Sequence, residues 1–150
     1  ALQSWSGQDL THKDFSLKDT WYEVKAISTG KPTVRISSLE QLQSVIEGEL
    51  AVFQLEKMSP AYDGVTLNKI ATGILKTLSS QENKDYFISK LFESGYNDYV
   101  YEITLGERFH ITDSFPKLTR NDVNEAIVKV QYDILLSEIQ GYKIDWSYGN

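Results

Sequence analysis

The run Thr20-Trp21-Tyr22-Glu23-Val24-Lys25-Ala26-Ile27-Ser28 constrains this chain more than any other segment. It reads as a strand, and a strand sends alternate side chains to opposite faces. Glu23 and Lys25 therefore emerge side by side, while Tyr22, Val24 and Ala26 point the other way. A second Glu-x-Lys tripeptide, Glu82-Asn83-Lys84, lies in a polar stretch that reads as a solvated first helical turn. The letters alone are a weak signal, and the strand context carries the argument.

A length of 150 residues suits one domain over 1–150 with a core of its own. The absence of cysteine excludes disulfides, thiolate metal sites and a cysteine nucleophile, and agrees with a reducing, cytoplasmic setting. No apolar run approaches the ~18 residues of a membrane span, and no signal-peptide pattern opens the chain. The first residue is Ala1, which points to a processed product or a piece of a longer protein. The net charge of −6 counts against a general affinity for nucleic acid, since phosphate binding usually shows a basic footprint. Yet Lys13, Lys18, Lys25, Lys31 and Arg35 all fall early in the chain, around the Glu23 segment.

Asp14 to Leu17 alternates polar and apolar residues, and Lys18-Asp19 suits a tight turn into the strand 20–28. Thr33 to Ser37 alternates again, so three short strands in a row predict an antiparallel meander. Leu39, Leu42, Val45 and Ile46 share a helical face, with Ser37 or Ser38 opening a capping box and Gly48 as the stop. Leu50 to Met58 is apolar on both faces, the mark of an interior strand, often parallel to a neighbour after a helical crossover. Two helices are predicted over 67–78 and about 82–94. A hairpin around Gly106-Glu107 and a last strand over 126–134 follow.

Two acids, a cation and open coordination positions are what a metal-dependent phosphodiesterase needs. Asp14, Glu23 and Lys25 supply the charged groups within twelve residues. Hard cations such as Mg2+ take oxygen ligands, usually one or two carboxylates with several waters. Lys25 could orient a water or stabilise charge developing on phosphate. The plainer alternative is a solvent-facing cross-strand charge cluster, worth about 0.2–1 kcal/mol. Asp19 suits a turn better than a metal site, and Asp9 is a weaker candidate still. His12 reads as a strand-edge residue, and His110 has no evident partner. Trp5, Trp21 and Trp146 read as packing or edge residues, with base stacking by Trp21 a remote alternative.

These residues resemble the PD-(D/E)XK nuclease superfamily, and more closely a bacterial family of PD-(D/E)XK type encoded near restriction and phage-defence genes. The resemblance rests on Trp5-Ser6-Gly7, Asp14-Phe15, Tyr22-Glu23-Val24-Lys25, Ile36-Ser37-Ser38-Leu39-Glu40-Gln41-Leu42, Gly64-Val65-Thr66-Leu67, Gly95-Tyr96, Phe115-Pro116 and the strand near Tyr132. It implies an α/β restriction-endonuclease-like fold, a mixed central sheet flanked by helices. It implies Asp14, Glu23 and the Val24 carbonyl as ligands of Mg2+ (or Mn2+), Lys25 as the catalytic lysine, and DNA as substrate. Gln41 is placed in the site by the same resemblance, reaching the metal-water network or a phosphate, although a helix cap explains it as well. The family's first core helix, with its Gly-Glu-Leu-like segment, has no counterpart before Trp5. The expectation is therefore a domain lacking that helix. Two functions stay open: a DNA endonuclease of a defence system, or an incomplete nuclease-like module that binds other defence subunits. Apolar surface left uncovered by the absent helix would favour a homodimer.

Overall fold

The computed structural model describes residues 13–93 and 100–149. Trp5, Asp9, His12 and the Gly95-Tyr96 pair lie outside the described residues. The strand signal at 20–28 produces β2 (Trp21–Ser28), and Lys18-Asp19 turns the chain into it from β1 (Phe15–Ser16). β3 (Thr33–Ile36) follows, then β4 (Gly48–Lys57), α1 (Leu67–Thr77) and α2 (Gln81–Glu93). β5 (Tyr101–Ile111), β6 (Tyr132–Leu135) and β7 (Lys143–Gly149) complete the order. The result is a mixed α/β fold with a five-stranded sheet in the order β1-β2-β4-β5-β7 and a separate pair, β3-β6.

β4 takes the interior position that its two apolar faces demand, parallel to β2 and antiparallel to β5. One face of the sheet carries Glu23, Lys25 and Ile27 beside Leu50 and Val52 of β4 and Phe109 of β5, as the register dictates. Over this face lie Val34 and Ile36 of β3, Ile134 of β6, and Leu42, Phe115 and Ile139 from the connections. Together they form the core. The opposite face carries Tyr22, Val24, Ala26 and Phe53, and Val24 and Ala26 are exposed.

Four expectations are corrected. β1 and β2 pair antiparallel, but β3 leaves the expected meander and pairs with β6, from Thr33↔Leu135 to Ile36↔Tyr132. The helix predicted after Ser38 is only a 3₁₀ turn over Leu39–Gln41. Its would-be helical carbonyls are taken by side chains just before β1 and at the entry to β2: Glu40 and Gln43 by Lys13, Ile46 by Trp21, and Glu47 by Thr20. Leu39 and Leu42 are buried while Val45 is fully exposed, so the predicted apolar stripe is split. The crossover from β2 to β4 is thus parallel but not helical. Gly106-Glu107 makes no hairpin, because both residues are paired on two sides, to Phe53 and Val52 of β4 and to Tyr148 and Ser147 of β7. Finally, 126–131 is not strand. The Arg120 guanidinium takes the carbonyls of Asn124 and Ile127, a turn joins those two residues, and Val128 is 89% exposed.

The two helices form as their periodicity predicts, with Thr66 capping α1 by accepting from the Lys69 amide. α1 adjoins the sheet at the start of β5, where Thr66 bridges Glu102, and it fully buries none of its residues.

Gly48 begins β4 against the Trp21 indole, and a Cβ there would meet the ring at 2.2 Å. That indole is held by its hydrogen bond to the Ile46 carbonyl and cannot swing away without losing it. Gly48→Ala is expected to cost about 1–3 kcal/mol through overpacking, read as a lower midpoint in urea unfolding.

Candidate active site

β2 places alternate residues Trp21, Glu23, Lys25 and Ile27 on the covered face, so Glu23 is not a surface acid: it is 3% exposed. Glu23 is thus withdrawn from solvent, while Asp14 and Lys25 are half-buried beside it. Lys25 lies beside Glu23, with Nζ 3.3 Å from its Oε1. The Lys25 ammonium also donates to Gln41 Oε1 at 2.9 Å. That same oxygen accepts the Ser37 amide at 2.8 Å. A carbonyl oxygen has two lone pairs, and both are used; a flipped amide would set its NH2 against two donors. Gln41 is therefore fixed as an acceptor.

Gln41 thus makes both contacts open to it, a cap-like one with the Ser37 amide and one with Lys25. Ser38 makes no side-chain cap bond, and no capping box forms at this turn. The Lys25 bond places the Gln41 oxygen next to the Glu23–Lys25 pair.

Asp14 precedes β1, and its Oδ2 accepts the Val24 amide at 2.8 Å. Within a strand, one residue's N–H and C=O point to the same side. β1 pairs only with Trp21 and Tyr22, so the Val24 carbonyl looks past its end, toward the edge where Asp14 sits. The two acids are close enough to repel. Burial, then Asp14, pushes the Glu23 carboxyl up to about 7, against the pull of Lys25 and a hydrogen bond from the Asp14 amide. Burial also raises Asp14, opposed by the Val24 amide and Lys25.

The other early cations have separate fates. Lys13 lies against the site: burial brings its amine down to about 8 despite the attraction of Glu23 and Glu40, and Nζ sits 4.5 Å from the Trp21 ring centre. Arg35 pairs with Asp133 at 3.1 Å, and Lys18 and Lys31 are exposed. Asp19 occupies the exposed turn expected of it. Trp21, 3% exposed, is a packing residue and not a base-stacking platform. His110, for which the sequence suggested no partner, lies with Nε2 2.8 Å from Glu47 Oε2. Trp146 meets Phe53 edge-on, with the Arg108 guanidinium over its ring. Two further pairs, Arg108–Glu49 and Lys143–Glu107, were not legible, because each spans neighbouring strands whose register no local pattern reveals.

The donor set fits a hard divalent cation in part. Two repelling carboxylates with raised affinity for protons form a deficit of positive charge, and carboxylate and carbonyl oxygens are the ligands Mg2+ prefers. Among the described residues no group of three or more His, Asp or Glu converges on one point. Such an ion would have Asp14, Glu23 and the Val24 carbonyl, with water completing its shell.

The raised Glu23 carboxyl has a consequence for stability. Folded Glu23 keeps its proton up to about 7; an unfolded glutamate loses it near ~4.3. Between those values the folded state binds more protons, so stability falls as pH rises through the window and levels off above it. The expected loss is on the order of 3 kcal/mol. Urea unfolding from pH 4.5 to 7.5 should show this fall in the unaltered chain relative to Glu23→Gln; parallel curves would contradict it.

A mixed five-stranded sheet with an acid–lysine pair on its covered face and a second acid at its edge defines a mixed α/β domain. The chain matches the DUF4420 family, described as "Putative PD-(D/E)XK family member", over residues 1–137, and it belongs to that family. No curated protein and no solved structure matched it. Among the described residues, no helix is long and apolar enough to cross a membrane.

Proposed function

We propose that this chain is a metal-dependent endonuclease domain that hydrolyses DNA phosphodiester bonds, with a restriction or phage-defence system as its setting and the cytoplasm as its location. The observation that carries the reading is the buried Glu23 paired with half-buried Lys25, with Gln41 bonded to the lysine, beside Asp14. A structural salt bridge has no need of two mutually repelling acids, and burying such a set lowers stability unless a cation or substrate answers it.

The residues divide the work. Asp14 and Glu23, with the Val24 carbonyl, would hold the cation. Bound there, Mg2+ or Mn2+ would supply a Lewis acid for a phosphoryl oxygen and lower the pKa of water. Lys25, held between Glu23 and Gln41, keeps its ammonium aimed along one line, where it can orient the attacking water or meet charge developing on phosphate. Trp21 and Leu50 on the same face exclude bulk water and strengthen those interactions.

A second reading is an incomplete nuclease-like module that binds other defence subunits. It is favoured by the net charge of −6 and by the meeting of only two carboxylates among the described residues. Cleavage of supercoiled DNA with Mg2+ or Mn2+ separates the two. Metal-dependent nicking lost with EDTA supports the enzyme, and no cleavage at any tested metal concentration supports the binding module. DNA and defence subunits are the partners this reading implies, with a homodimer as the assembly to test by sedimentation.

A further inference from the structure

Lys13 occupies a place that the division of work above leaves unexplained. Its Nζ donates to the backbone carbonyls of Glu40 and Gln43, the latter at 2.8 Å, and rests over the Trp21 ring. Those carbonyls flank Gln41 in sequence. The segment they belong to is short in regular structure: its 3₁₀ turn is three residues long, and among the described residues its backbone bonds run from Leu42 and Gln43 back to Leu39. Leu39 and Leu42 anchor the segment in the core, and a contact on the exposed carbonyls between and beyond them adds a hold on where Gln41 points.

Three side chains, Lys13 just before β1 and Thr20 and Trp21 at the entry to β2, take carbonyls of this connection. Trp21 and Thr20 hold its far end at Ile46 and Glu47. Lys13 is the one that grips both sides of Gln41. An ammonium with three donors suits two convergent carbonyls and an aromatic face, and the site gives Lys13 all of these. From there an unbroken line of contacts runs through Gln41 Oε1 to Lys25 Nζ at 2.9 Å, and on to Glu23 at 3.3 Å.

We propose that Lys13 is a positioning residue: by holding the Glu40 and Gln43 carbonyls it presents Gln41 to Lys25, and so sets the direction of the lysine beside Glu23. The consequence for cleavage rests on the nuclease reading; the consequence for Gln41 does not. Lys13 acts through another residue and need not touch substrate. It also explains why Lys13 and Asp14, neighbours in sequence, serve different partners. Asp14 ties the hairpin to β2, and Lys13 ties it to the connection that follows β3.

The test uses the whole chain with Lys13→Met, Gln41→Ala and the double variant, each checked for folding by circular dichroism. Amide exchange at Ser37, whose N–H is held by Gln41 Oε1, is followed by NMR without reference to activity. Lys13→Met is expected to speed that exchange about fivefold or more, while the Phe109 amide in β5 stays unchanged. Single-turnover cleavage at saturating DNA should fall on the order of 10–100-fold with DNA affinity intact, and Gln41→Ala should add no further loss to Lys13→Met. Unchanged Ser37 exchange overturns the proposal. So do additive losses in the double variant, or a loss confined to DNA affinity. Should Lys13→Met not fold, Lys13→Gln, which keeps a polar end but cannot span both carbonyls, carries the same expectations. If the unaltered chain cleaves nothing, the nuclease reading fails, and Ser37 exchange alone decides the role of Lys13.

Discussion

Glu23→Gln is expected to abolish metal-dependent cleavage, with a fall of at least ~10³-fold, while making the metal-free chain more stable at pH 7.5. The two effects share one cause. Glu23 sits on the covered face of β2 beside Leu50, and its carboxyl is pushed up to about 7 by burial and by Asp14. Ionising it there is costly, and a neutral amide of the same shape removes that cost while keeping an acceptor for the Asp14 amide. The expected gain is on the order of 1–3 kcal/mol above pH 7 and close to none at pH 4.5, where the folded carboxyl is already neutral. Divalent cation should act in the opposite sense. It favours the ionised acid, so it should stabilise the unaltered chain more at pH 7.5 than at pH 5.5 and leave Glu23→Gln little affected. Thermal unfolding with and without Mg2+ at both pH values measures this. A variant that is less stable at pH 7.5 and still cleaves would show that Glu23 is a structural acid.

Lys25→Met should lower single-turnover cleavage by about 10²–10³-fold with little change in DNA affinity. The ammonium is held at 3.3 Å from Glu23 and 2.9 Å from Gln41, so its direction is set before substrate arrives. Methionine keeps the apolar stem and removes only the charge and the donors. Its loss leaves the two acids without their neighbouring cation and raises the Glu23 carboxyl further, since Lys25 pulls it down in the unaltered chain. The variant should therefore lose stability with rising pH more steeply than the unaltered chain, as shown by urea unfolding across the same window. Lys25→Arg would not restore full activity, because a planar fork cannot reproduce one ammonium shared between Glu23 and Gln41. A Lys25→Met variant with unaltered kinetics would exclude lysine from the chemistry.

Local chemistry made a large part of this molecule legible. Period-two alternation identified β2 and placed Glu23 and Lys25 on one face, and apolar residues on both faces of β4 marked it as interior. Helical spacing found α1 and α2. The nearness of Asp14, Glu23 and Lys25 was legible in the same way, since they lie close in sequence and one tight turn joins β1 to β2. Where sequence reading failed, the deciding partner was distant. Gln41 looked like a cap, and its oxygen does accept the Ser37 amide, but local spacing could not show that Lys25, sixteen residues earlier, shares that oxygen. Gly106-Glu107 looked like a turn because β7, which completes the pairing, had not been anticipated.

What the sequence determined alone is the alternation along β2, the interior character of β4, the two helices and the short-range joining of the acids to the lysine. Each follows from steric and hydrophobic periodicity within a few residues. What only the tertiary structure decided is the partner of β3, the unwinding of the segment after Ser38, the burial of Glu23 and the grip of Lys13 on both sides of Gln41. Those depend on which strands lie side by side and which carbonyls a remote side chain can reach. Hydrogen-bond donors are satisfied by whatever the fold brings near, and nothing in the local sequence records what that will be.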